Sequence, residues 1–167
     1  MERPRSLRRL GLGGSSAEST AAGIYGVIVA SAVMVASHVA TAVAATVTVL
    51  VTLIIYWGAE RYARIVAERI HSGRRPDRRE LWHQLTSGWE MVTASFLPLA
   101  VLDVTRLLGA QLSTALLAGL SCSTLLLGVA GWEVGREGKL TTWERLVSAT
   151  VAAAFGGVMI VLKMLLH

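Results

Sequence analysis

The chain has 167 residues, 53% of them hydrophobic, with a mean hydropathy of +0.56. Its 16 basic and 11 acidic residues crowd into a few stretches separated by apolar runs almost without charge, whereas a soluble domain spreads charge over its whole surface. Disorder, a disulfide scaffold (there is one Cys) and a basic nucleic-acid module are excluded, which leaves an all-α polytopic membrane protein.

A helix needs about 20 mostly apolar residues to cross the hydrocarbon core of a bilayer, and five segments qualify. The first spans about 17–37 and follows a basic N-terminal stretch, 1–16. Ser15 and Glu18 have the spacing of a capping box at its start. The second apolar run, 41–58, is expected to continue as a helix into water. Glu60/Arg64 and Arg64/Glu68, each four apart, support that continuation. Ser72-Gly73 gives a stop and Pro76 a break.

Asp77 and Glu80 repeat the capping pattern ahead of a third span, 87–105, which contains Pro98 as a kink. A turn at Gly109-Ala110-Gln111 leads to the fourth span, 113–132. Gly135, Gly138 and Lys139 form the next loop, and Thr141 with Glu144 caps the fifth span, 143–166. Residues 17–167 thus make one five-helix membrane domain, with 59–86 as a helical link and no room for a separate soluble unit.

Positive charge collects on the cytoplasmic side of membrane proteins. Counting alternate sides of the five spans, fourteen of the sixteen basic residues fall together: those of the N-terminus, of the second link, and Arg136, Lys139 and Arg145. Arg106 and Lys163 are the exceptions. The expected topology has the N-terminus cytoplasmic and the C-terminus outside. Trp57, Trp82, Trp89, Trp132 and Trp143 all fall at the same interface, where amphipathic rings prefer to sit. A cleaved signal, with Arg8-Arg9 before the first apolar run, is the competing reading, but removing that span would spoil the charge alternation. Arg outnumbers Lys 14 to 2 among abundant Ala, Gly and Val, a composition pointing to a bacterial plasma membrane.

Candidate sites are sparse. Thr48, Thr52, Tyr56 and Glu60 recur every four residues as a slanted polar stripe. The stripe either lines a hydrophilic path ending at the Glu60 carboxylate or consists of hydroxyls bonded to their own backbone. Arg74, Arg75, Arg78 and Arg79 either contact anionic lipid or only fix topology. Asp103 and Arg106, three apart, share a helix face and read either as an interfacial ion pair or as part of an ion pathway. Lys163 reads as a snorkelling lysine and His38 as an interfacial residue. Ala22/Gly26/Ala30 and Ala149/Ala153/Gly157 are small-residue stripes for close packing, within a subunit or between two. Cys122 stands alone, no metal-ligand spacing occurs, and no catalytic constellation is present. The expectation is neither an enzyme nor a cofactor or metal protein.

Five spans, a cytoplasmic N-terminus and a charged helical link resemble the vacuolar iron transporter family and its bacterial relatives. Tyr25-Gly26 sits where that family has an Asp-Gly pair, and Trp57-Gly58-Ala59-Glu60-Arg61-Tyr62 follows the spacing of its Met-Gly pair with a Tyr four residues later. The Ala/Gly-rich stretch 145–162 is similar to its last helix. The resemblance implies a transporter scaffold working as a homodimer. The metal-handling Asp and Met are replaced by Tyr25 and Trp57, and indole does not bind divalent metals. Glu60 with Tyr25 and Tyr56 is then the reduced site that remains, behind a basic mouth that opposes cation entry. Two functions follow: a small transporter or channel for an ion or small solute, or a non-transporting module whose basic, Trp-rich surface meets anionic lipid or a protein.

Overall fold

In the computed structural model, the described residues are 10–72, 88–138 and 140–166, and side chains are described for most of these. They form helices and connecting turns only. α1 is Leu10–Ala36, α2 Ala42–Ser72, α3 Glu90–Thr93, α4 Phe96–Leu107, α5 Leu112–Glu137 and α6 Thr142–Leu166. Four of them (α1, α2, α5 and α6) contain stretches long and apolar enough to cross a membrane.

The third apolar segment departs from expectation. It is not one long helix but two shorter ones, α3 and α4, interrupted at Ala94-Ser95. Pro98 supplies the reason. It has no N–H to give the Ala94 carbonyl, and its ring crowds that carbonyl. Ser95 N instead bonds the Val92 carbonyl, only three residues back, at 3.2 Å. Both interrupted residues keep right-handed helical angles.

The other bounds match the sequence patterns unevenly. α2 does run on past Gly58, to Ser72, carrying the Glu60–Arg64 pair at 2.7 Å. Thr141 and Glu144 make the predicted capping box: the Thr141 amide and hydroxyl donate to Glu144 Oε2 at 2.8 and 2.9 Å. α5 continues through Gly135, so the loop there is shorter than expected. α1 begins at Leu10, which puts Ser15 and Glu18 inside the helix rather than at its start. The Asp77/Glu80 pattern lies outside the described residues.

α1 stands at the centre, touching α2, α3, α5 and α6, while α5 and α6 form the most extensive helix pair. Met34, Leu53, Leu102 and Leu120 are fully buried where α1, α2, α4 and α5 meet. The small-residue stripe of α1 packs within the chain, and that of α6 does so at Ala149 and Ala153, which lie against Gly128 of α5, but not at Gly157. A Cβ at Gly26 would run into the Met91 carbonyl, and one at Gly131 would lie 2.8 Å from both Ala152 Cβ and the Ser148 carbonyl. By contrast α6 turns Val147, Val151, Phe155, Val158 and Val161 outward, and only 11% of its apolar stretch is buried.

Candidate functional site

The alternating helices bring the start of α1, the end of α2, α3, the end of α5 and the start of α6 to one end of the bundle. Tyr25, Met91 and Glu60 line one groove there, and Gly135 meets Arg145. At the opposite end, Ser37 and His38 lie beside Leu112 and Lys163. Of the six basic side chains described, Arg61, Arg64, Arg136 and Arg145 are at the first end, and Arg106 and Lys163 at the second. Trp57 and Trp89, also at the first end, pack edge to face with centroids 5.6 Å apart and planes at 89°.

A groove of about 520 Å3 opens between α1 and α2 at the first end. Ala21, Ala22 and Ala59 leave the space, because methyl groups there keep the two helices from filling it. Tyr25, Tyr56, Glu60 and Arg64 line it with polar groups, and the buried Met91 closes its inner wall. The phenols belong to different helices, and both rings are more than half exposed, 63% for Tyr25 and 55% for Tyr56. Glu60 Oε1 accepts from Arg64 Nη2 at 2.7 Å, with both side chains partly exposed. The groove therefore holds two hydroxyls, two aromatic rings and a closed pair of opposite charges.

The stripe of which Glu60 is part divides in two. Tyr56 and Glu60 line the groove, but Thr48 and Thr52 do not. The Thr48 hydroxyl donates to the Ala44 carbonyl and that of Thr52 to the Thr48 carbonyl, each at 2.8 Å. Such back-bonding satisfies a hydroxyl without any neighbour. Asp103 and Arg106 are each engaged elsewhere. Both Asp103 carboxylate oxygens accept from the Thr46 hydroxyl at 3.1 Å, tying α4 to α2, and Arg106 donates to the Ala110 carbonyl at 2.7 Å. Arg74, Arg75, Arg78 and Arg79 lie outside the described residues.

Lys163 is not a snorkelling side chain. It is 5% exposed, and its ammonium donates to the carbonyls of Met34, Val35 and Ser37 at 3.3, 3.2 and 3.5 Å. Those carbonyls lie at and just beyond the end of α1, where the Ser37 hydroxyl also donates to the Met34 carbonyl at 3.3 Å, and a cation there complements the negative end of the helix dipole. His38 is exposed, with Nδ1 3.0 Å from the Ala36 carbonyl.

The sequence placed Arg61 only among the basic residues of the second link, and its burial was not legible there. The side chain is 3% exposed, and its Nε is buried without a hydrogen-bond partner. Its guanidinium occupies the place where a side chain at Gly88 would stand. Gly88 has φ +77°, so this turn admits glycine on both counts. Only the neighbouring glycine at 88 hinted at such a contact, and nothing in the spacing joins positions 27 residues apart. Among the described residues no group of three His, Cys, Asp or Glu side chains comes together that could hold a metal. No family model, curated protein or solved structure matches the chain.

Proposed function

We propose that this protein is an integral membrane protein that moves an ion or small solute, with the groove at the Glu60 end as its cytoplasmic mouth. Four apolar helices are compatible with a membrane protein, and the basic end of the bundle is assigned to the cytoplasm by the positive-inside rule. The observation that carries the reading is the convergence of Tyr25, Tyr56 and Glu60 from two helices on one groove. In a chain this apolar, polar side chains gathered on one opening mark a route or a binding place. The third segment completes the fifth crossing through the Ala94-Ser95 break. The resemblance to the iron transporters, without their metal residues, supports a homodimer, and the Arg-rich, Lys-poor composition supports a bacterial plasma membrane.

Purified protein in liposomes is expected to carry at least one of Fe²⁺, Mn²⁺, H⁺ or Na⁺, and Glu60→Gln to stop it. Absence of flux for all four overturns transport of these ions, and equal flux from the mutant removes Glu60 from the route.

A second reading, a binding module without transport, is favoured by one observation. The polar lining does not extend past Tyr56, since Thr52 and Thr48 bond their own helix. Salt-sensitive binding to anionic vesicles without any flux is the result that selects it.

A further inference from the structure

We propose that the groove between α1 and α2 binds a lipophilic organic monocation, an onium ion carrying alkyl or aryl groups, with its charge at Glu60. The proposal rests on the reading of this groove as the working site, but not on transport.

The lining selects this class of ligand. Glu60 is the one carboxylate among the described residues that line the groove, and it stands with two aromatic rings and the buried Met91. A divalent metal takes several oxygen or nitrogen ligands in a defined geometry. One carboxylate with two neutral phenols does not supply them. A substituted onium ion has no N–H groups to satisfy. It is held by a carboxylate nearby and by the faces of aromatic rings. Its alkyl or aryl groups gain by leaving water for the rings and for the adaptable thioether of Met91.

The Glu60–Arg64 pair leaves room for such a ligand. It joins residues one turn apart on a single helix, with the side chains 42% exposed for Arg64 and 34% for Glu60. Exposed pairs of this kind contribute little, so Glu60 turns to a ligand at small cost. Arg64 is not stranded by that turn, because it has a further interaction of its own.

Depth agrees with an amphipathic cation. Glu60 lies eighteen residues after the start of α2 at Ala42, about 27 Å at the helical rise. The hydrocarbon core is about 30 Å thick, which puts the carboxylate at the headgroup boundary. Tyr56, one turn earlier, stands on its hydrocarbon side, and Arg64, one turn later, on its water side, where charge is screened. Amphipathic cations collect at this boundary with charge toward water and apolar groups toward the acyl chains. Glu60 and Tyr56 are stacked in that order. A ligand dissolved in the bilayer also avoids the basic end of the bundle, whose arginines repel a hydrated cation arriving from water.

Binding of labelled tetraphenylphosphonium to the purified full chain in detergent, measured against protein-free micelles, tests the proposal. Tetraphenylborate, which has the same shape and the opposite charge, is the comparison. Wild type is expected to bind the cation and to prefer it to the borate. Glu60→Gln should weaken cation binding about fivefold, the value of one partly exposed charge contact. Arg64→Gln should strengthen it about twofold, because a competing helix pair is removed. Tyr25→Leu/Tyr56→Leu should weaken it about tenfold, and Tyr25→Phe/Tyr56→Phe, which keeps both ring faces, should restore it. Elution of each variant at the wild-type volume checks that it folds. No cation binding in wild type, a preference for the borate, or an affinity unchanged in both Glu60→Gln and the leucine pair would overturn the proposal. Tetraphenylphosphonium binding without its uptake into liposomes would keep this site and remove transport of that cation. Inorganic-ion flux without such binding would leave the transport reading standing and remove this one.

Discussion

A lysine near the end of α6 holds the end of α1, across 126 to 129 positions of sequence. Three carbonyls at that end share one ammonium. Lys163→Met keeps the aliphatic bulk but removes these charged hydrogen bonds, and is expected to lower stability by about 2–3 kcal/mol. Thermal unfolding in detergent measures it; an unchanged midpoint would show that the contact contributes nothing. Arg61 predicts the opposite sign. Its guanidinium is buried over Gly88 with Nε unpartnered, and replacing a poorly compensated buried charge with an apolar side chain of similar volume is neutral or stabilising. Arg61→Met should therefore unfold at the same temperature as wild type or higher. A lower midpoint would mean that the arginine has a favourable partner.

Helix packing depends on where the small residues face. Gly26→Ala sets a methyl group into the Met91 carbonyl of α3 and should cost about 1–3 kcal/mol as overpacking. A Cβ at Gly157 meets nothing within 4 Å, so Gly157→Ala should be neutral or slightly stabilising through helix propensity. Equal effects in the two variants would refute this account of the α1–α3 contact. Both glycines belong to stripes equally visible in the sequence. The pattern marks both as candidates for packing but cannot say which of them meets another helix. Likewise Thr141 with Glu144, and Glu60 with Arg64, were readable because their bonds close within four residues. The Lys163 cap, the Thr46–Asp103 bond and the seat of Arg61 were not, because they join helices remote in the chain. Pro98 lies between these cases. Its kink was legible, but not that the third segment would be divided into helices of four and twelve residues.

At the scale of the whole molecule, the same alternation that separates the charges also assembles the groove. Antiparallel passage places Tyr25 of α1 beside Tyr56 and Glu60 of α2, and gathers Arg61, Arg64, Arg136 and Arg145 at that end. The grouping of Tyr25 with Tyr56 and Glu60 came from the family resemblance rather than from any spacing, since spacing reports only on residues of one helix. Met91, which completes the groove from α3, was missed for that reason, whereas Arg64 was legible through its spacing from Glu60. The central claim is the orientation: five crossings, with the Glu60 groove on the cytoplasmic side. Labelling with a membrane-impermeant maleimide tests it most directly, using single cysteines introduced into a Cys122→Ala background in intact cells. Cysteines at His38 and Ala110 should label from outside, and cysteines at Arg64 and Gly138 only after the membrane is opened. Labelling of Arg64 and Gly138 positions in intact cells, with His38 and Ala110 protected, would contradict the account.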